Sequence, residues 1–283
     1  MKICRKRPEP VSLTKYREAQ SDGTWEEMRD DPFHGGQQAY KDIKTTLVKG
    51  QRCLCAFCEI NIADGTDDES IEAKKHLQRV EHFHPKEDND GPLNWALHWP
   101  NLWVLCHGGS NRTPADTDRY LEPLPANLSC DAYKDHQIKT GKLHEKPEGW
   151  LLAPDEVLAF PNLFQFAPDG TPEPHLKNCA EQILPNNRYP DTATLVSKTI
   201  EHLNLGCVRL NRSRCIAKAR LEKLITKTRQ QTPGASPQEA VTNLARRLFP
   251  NDVDSPWPKF FTLVRWRLGE PAEIHLRSIQ YIG

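Results

Sequence analysis

In the stretch HGGQQAYKDIKTTLVKG, Tyr40, Ile43 and Leu47 recur at helical spacing, which predicts a helix that Gly50 terminates. The pattern then shortens. VEHF, beginning at Val80, and NLWVLC, beginning at Asn101, read as strands joined by a long polar connection containing tryptophans, with a helix expected over residues 130–140. Residues 150–152 and 164–166 read as two more short strands, the second followed by the turn APDG. From Asp191 onward the pattern is helical. Asp191 caps a helix that Gly206 stops, Ser236, Pro237 and Glu239 form an N-cap, N1 and N3 set, and residues 258–268 are closed by Gly269.

This order predicts an α+β chain in four parts. Residues 1–50 form a helical arm, 51–142 hold most of the candidate chemistry, 143–190 are a small β addition with a linker, and 191–283 are a helical C-terminal subdomain. Internal repeats and low-complexity tracts are lacking. With 37% hydrophobic and 27% charged residues, a chain of 283 residues can bury a real core. No run approaches the roughly eighteen apolar residues of a membrane span, and MKICRKRPEP lacks the apolar stretch of a secretory signal, so a cytoplasmic protein is expected. Formal net charge is zero, which leaves nucleic-acid binding to local patches. The densest runs from Arg209 to Arg229, eight basic residues against the single acid Glu222, with Arg212, Arg214 and Lys218 as candidate phosphate contacts; the alternative is a solvated helix face.

Nine cysteines is a high and odd count, and in a cytoplasmic chain such clusters favour metal over disulfides. In CLCAFCEI, Cys55 and Cys58 have the C-x2-C spacing with which two thiolates of one tight turn reach the same tetrahedral zinc; Cys53 is a spare or rival ligand. That spacing also suits redox chemistry, so two further thiolates are needed. Cys106, ending NLWVLC, and Cys130, opening CDAYKDHQIK, are the candidates. A structural zinc on these four residues would clamp a knuckle to a strand end and a helix start. The alternative makes Cys106 and Cys130 buried small hydrophobes, as is expected of Cys4, Cys179, Cys207 and Cys215.

Between the halves of that set, VEHFHPK packs a glutamate, two histidines, a proline and a lysine into seven residues. Histidines there have a structural explanation, a buried hydrogen bond or a half-exposed strand position. The chemical explanation is phosphodiester hydrolysis, which needs a base to activate water and a hard cation to neutralise charge on the phosphate and the leaving oxygen. A strand, loop, strand and helix can bring a histidine and a carboxylate of the first strand to a polar residue of the helix. Regular alternation sends Glu81 and His82 to opposite sides, unless the strand twists or the cation sits at its end.

The spacing of CAFCE, VEHFHPK, WPNLWVLC and CDAYK resembles the HNH (ββα-metal) nucleases, and more closely the PtuB-like HNH proteins of Septu and retron-associated antiphage systems. TWEEMRDDPFHGGQQAYKDIKTTL before this region, and WLLAPDE, FQFAPDGTPEPH and TIEHLNLGCVRLNRSR after it, resemble the same family, so the likeness spans most of the chain. It implies a zinc-stabilised ββα-metal core with a helical N-terminal arm and a helical C-terminal subdomain. His82 would be the general base, Glu81 a ligand of a catalytic Mg2+ or Mn2+, Asn101 the asparagine that orders the loop around the base, and Asp131 the ligand on the helix. Many HNH proteins carry asparagine or histidine at that last position, and Asn111 in HGGSNRT is the fallback. His84 has no assigned role, either touching phosphate or being exposed; Lys86 and Lys134 would neutralise the substrate backbone or simply be solvated. The 23 residues between Cys106 and Cys130 depart from the compact knuckle of two C-x2-C pairs.

By the same resemblance, His82 takes a proton from water that attacks in line, the cation stabilises the departing 3′ oxygen, and the ends carry 5′-phosphate and 3′-hydroxyl. A PtuA-like ATPase would restrain or deliver the nuclease, and a retron reverse transcriptase with its RNA and DNA is a further partner. The chain has no G-x-x-x-x-G-K-[ST] loop of its own, and its helical C-terminal third is the expected docking surface. Two other readings stand beside this one: a zinc-scaffolded adaptor without catalysis, and a nuclease whose substrate is RNA, such as a structured tRNA. A redox enzyme ranks last, because no thioredoxin-like βαβ pattern surrounds Cys55 and Cys58.

Overall fold

The computed structural model describes residues 1–110, 122–231, 236–252 and 254–283. Three helices open the chain: α1 (Val11–Ala19), α2 (Trp25–Asp30) and α3 (Gly36–Gly50). The last is the predicted helix. Ala39, Ile43 and Leu47 follow one another at four-residue spacing and are buried, while Tyr40 sits half-buried against Trp25. At the start of α2 the Thr24 hydroxyl accepts from Glu27 N–H, and the Glu27 carboxylate accepts from Thr24 N–H, which satisfies two otherwise open donors.

After α4 (Asp68–Ala73), β1 (Arg79–His82) pairs antiparallel with β2 (Leu102–Leu105), in a register running from Arg79 opposite Leu105 to His82 opposite Leu102. All of β2 is buried. Gln51, just beyond α3, donates to the Leu54 and Val104 carbonyls at 2.9 and 2.7 Å and accepts from Val104 N–H at 2.9 Å, so one buried side chain satisfies backbone groups that β1 does not reach. The helix α5 (Cys130–Lys139) follows, close to its predicted bounds.

In the β addition, β3 (Phe164–Phe166) pairs with β4 (Pro172–Pro174) across the APDG turn, where Gly170 has φ +84°. Residues 150–152 do not form the predicted strand. Leu151 and Leu152 are fully buried, but Leu152 N–H donates to the Thr199 hydroxyl at 2.9 Å, a side chain standing where a ladder partner was expected.

The remaining helices are α6 (Leu176–Ala180), α7 (Thr192–His202), α8 (Val208–Gln231), α9 (Pro237–Leu248), α10 (Phe261–Leu268) and α11 (Glu270–Ser278). Asp191 caps α7, and Ser236 with Glu239 forms a capping box on α9, as the sequence predicts. α7 ends before Gly206, and Asn204 beyond it takes a left-handed φ of +44°.

One contiguous hydrophobic core runs from Met1 to Tyr281. The C-terminal part packs directly on the cysteine knuckle: Phe260 N–H donates to the Glu59 carbonyl at 2.8 Å, Thr262 N–H to Glu59 Oε2 at 2.9 Å, and Trp257 N–H to the Arg52 carbonyl at 3.2 Å. Among the described residues no helix is long and apolar enough to cross a membrane.

Candidate active site and metal centre

Cys55 and Cys58 lie in the turns after α3, Cys106 follows β2, and Cys130 opens α5. Folding brings all four together. Their sulfur atoms lie within 4.8 Å of one another, and three of the separations are 3.9 Å (Cys55 to Cys130), 3.6 Å (Cys58 to Cys106) and 3.8 Å (Cys106 to Cys130). Four sulfurs bound tetrahedrally to zinc sit about 3.8 Å apart, so the set can hold that ion. Cys106 N–H and Gly108 N–H each point at a sulfur of the set, Cys55 and Cys106 respectively, at 3.4 Å. Burial pushes the Cys55 and Cys130 thiols well up; at Cys58 burial acts the same way, but bonds to the neighbouring sulfurs outweigh it and hold that thiol well down. A divalent cation is what would keep four thiolates ionised together in so dry a place. Cys53 stands apart, donating to the Gly65 carbonyl at 3.1 Å.

Two arginines of α8 turn inward beside the knuckle. Arg209 donates to the Ser129 hydroxyl at 2.7 Å. Arg214, 4% exposed, donates to the Leu205 carbonyl at 2.7 Å and to Asn211 Oδ1 at 3.0 Å, with its guanidinium over the Phe166 and Phe260 rings. This corrects the expectation that Arg214 faces nucleic acid. Burial lowers its pKa, while the nearby Cys58 and Glu59 oppose that shift, as a counter-charge to the cysteine set should. Arg212 is exposed on α8 and Lys218 is half-buried.

β1 ends at His82, whose carbonyl meets Lys134 of α5. Glu81 and His82 both line one cavity of about 1080 Å³, despite strand alternation, and Asp131, Lys134 and Asp135 of α5 and Trp25 of α2 line it with them. His82 Nε2–H donates to the Ala96 carbonyl at 3.0 Å; a carbonyl only accepts, so Nδ1 of the neutral ring carries the lone pair. Burial lowers the His82 pKa to about 4, which keeps the ring neutral at pH 7. Asn101, 4% exposed, accepts from His84 N–H at 2.7 Å and donates to the His84 and Trp95 carbonyls, each at 3.0 Å. It clamps both ends of the loop between the strands.

Asp131 is 2% exposed, with Oδ1 lying 2.7 Å from Lys134 Nζ and Oδ2 without a hydrogen-bond partner among the described residues. Lys134 Nζ also donates to the His82 carbonyl at 2.9 Å. Burial and the adjacent Asp131 charge raise the Asp135 pKa. A buried carboxylate with an open oxygen, next to a second carboxylate and a neutral base, suits a hard cation with oxygen ligands. Among the described residues, only the four cysteines form a set of three or more ligand side chains that already converge; Glu81 is ion-paired with Arg79 and would have to leave it.

Three expectations change here. His84 is buried, with Nδ1 2.7 Å from Glu148 Oε1, Nε2 2.6 Å from Asp88 Oδ2, and its ring stacked on Trp95. Lys134 is buried and paired rather than solvated. Lys86 is ion-paired with Glu26 of α2. Asn111 lies outside the described residues. Among the cavity residues that sequence reasoning missed are Asp135, four positions after Asp131 on one helix face, and Trp25, remote in sequence from the rest.

A neutral histidine and acidic residues in one cavity, next to a knuckle able to hold zinc, are the parts of a metal-dependent hydrolase. No family model matches the chain. Over 217 residues it is 36% identical to a protein of retron Ec83 from Escherichia coli named as an HNH endonuclease, an alignment that covers 76% of this chain and 78% of that relative. The chain belongs to this family of HNH endonucleases.

Proposed function

We propose that the chain is a PtuB-like HNH nuclease that hydrolyses nucleic-acid phosphodiesters as the effector of a retron-associated antiphage system, acting in the cytoplasm with a PtuA-like ATPase and a reverse transcriptase with its RNA and DNA. The observation that carries this reading is the neutral His82, with Nε2–H committed to Ala96, in one cavity with Glu81 and with Asp131, whose Oδ2 has no hydrogen-bond partner among the described residues. In it, β1, β2 and α5 are the ββα-metal core, and zinc on Cys55, Cys58, Cys106 and Cys130 staples its ends.

His82 Nδ1 takes the proton of the attacking water, and the bond from Nε2–H to Ala96 holds the ring and its tautomer through the transfer. Asn101 keeps the loop carrying Trp95 against the strand end. Glu81 and Asp131 would hold Mg2+ or Mn2+, which when bound neutralises charge on the phosphate and the departing oxygen. Lys86, on the cavity wall, can exchange Glu26 for a substrate phosphate, and Arg212 and Lys218 on α8 are separate candidate phosphate contacts.

The test is cleavage of DNA and of RNA by the purified chain, alone and with the ATPase, in Mg2+ or Mn2+. Strand breaks with 5′-phosphate ends that Asp131→Asn abolishes are expected, and the polymer that is cut names the substrate. Breaks persisting in Asp131→Asn would overturn the reading. Docking of the ATPase is better tested with surface substitutions on α9 than by deleting residues 191–283, because α10 packs on the knuckle.

A further inference from the structure

We infer that the N-terminal arm is a working part of the active site, with Trp25 and Asn94 as positioning residues for His82. The inference rests on His82 being the base. His82 is held at two points: Nε2–H donates to the Ala96 carbonyl at 3.0 Å, and the Trp25 ring stands perpendicular to the imidazole with centroids 4.8 Å apart. Neither point belongs to β1, β2 or α5. Trp25 opens α2, and Ala96 lies in the connection between the strands.

One side chain couples the two. Asn94 Oδ1 accepts from Ala96 N–H at 3.1 Å, and its amide donates to the carbonyls of Ser21 and Gly23 at 2.9 and 3.0 Å, just ahead of the α2 cap. Asn94 thus fastens the residue that receives the His82 proton donor to the segment that carries Trp25. The arm is itself rigidly placed. Trp25 is 6% exposed, Tyr40 of α3 meets its ring at 5.6 Å, Met28 on the same helix is fully buried, and the Thr24 and Glu27 box fixes the helix start.

A single hydrogen bond at Nε2 leaves the imidazole free to swing about it, and a base must present Nδ1 within hydrogen-bond reach of water. The Trp25 wall removes that freedom, and Asn94 removes the freedom of the carbonyl. This separates the arm from a mere packing element: its loss should disturb the ring's orientation before it disturbs the fold.

The experiment uses the full zinc-loaded chain carrying Trp25→Ala, Trp25→Phe, Asn94→Ala or His82→Ala, under conditions where the wild type cleaves. Three quantities are read: the single-turnover cleavage rate against KM, the imidazole nitrogen shifts of His82, and the melting temperature. Trp25→Ala and Asn94→Ala should each lower the rate about 10- to 100-fold at nearly unchanged KM, the scale expected for a misplaced reacting group, while Trp25→Phe recovers most of it. The His82 shifts should pass from one Nε2–H tautomer to a mixture in the two slow variants. Wild-type rates and a single tautomer in both would overturn the inference. Should Trp25→Ala fail to fold, Asn94→Ala decides, since it removes no buried ring. If His82→Ala also cleaves normally, the base assignment itself fails; if it is inactive while the other variants match the wild type, only the role of the arm does.

Discussion

Lys134 Nζ lies 2.7 Å from Asp131 Oδ1, one helical turn away on α5, and both side chains are buried. The same ammonium donates to the His82 carbonyl at 2.9 Å. One lysine thus ties the helix to the end of β1 and takes up one carboxylate oxygen while the other stays open.

Lys134→Met should therefore leave Asp131 as a buried charge without its partner, a loss of about 3 to 5 kcal/mol in denaturant unfolding. A double variant, Lys134→Met with Asp131→Leu, should recover most of that loss. An equal loss in both would show that the interactions of the pair, and not an orphaned Asp131 charge, carry the stability.

Zinc should be inseparable from folding. Stripping it with a strong chelator, or replacing Cys55 or Cys58 by serine, should unfold the knuckle and the helices packed on it, since structural zinc binding can contribute about 10 kcal/mol or more. Cys53→Ser should keep its zinc, because that sulfur donates to the Gly65 carbonyl outside the set. Metal content and helical circular dichroism on the same samples decide both points.

Arginines on α8 should divide by direction. Arg214→Ala leaves buried acceptors unsatisfied and should cost about 2 to 4 kcal/mol, with Arg214→Lys a poor substitute because it lacks the planar fork. Arg212→Ala, at an exposed position, should cost less stability than Arg214→Ala and lower the salt dependence of nucleic-acid binding by about 0.9 in logarithmic slope.

Acid should weaken the fold through His82. Its pKa falls from 6.5 to about 4 on burial, so between those values the unfolded chain binds more protons than the folded one. The stability from this group is fully present above pH 6.5, falls as pH drops toward 4, and is flat below. The change should be about 3 kcal/mol, and His82→Gln should remove it from unfolding curves taken across that range.

Much of this was legible from the chain alone. The C-x2-C turn, the residues at 106 and 130 and the cap at Asp191 are each tied to local chemistry that folding respects, while the loop asparagine at 101 came from the family resemblance. The misread positions depend on tertiary placement. Arg214 lies four residues after buried Leu210 and seven before buried Leu221, a signal for its inward face that the surrounding basic residues obscured. Lys134 is buried because its partners, Asp131 and the His82 carbonyl, meet it only when α5 docks on β1. Trp25 reaches His82 from an arm remote in sequence, and residues 150–152 are apolar like a strand yet bond to Thr199 of α7.

The measurement that tests the central claim most directly is nucleic-acid cleavage by His82→Ala, with zinc content and unfolding determined on the same protein. The account predicts retained zinc, a retained fold, and a rate reduced about 100-fold or more, the usual contribution of a general base. A variant that keeps its zinc and cleaves at the wild-type rate would contradict it.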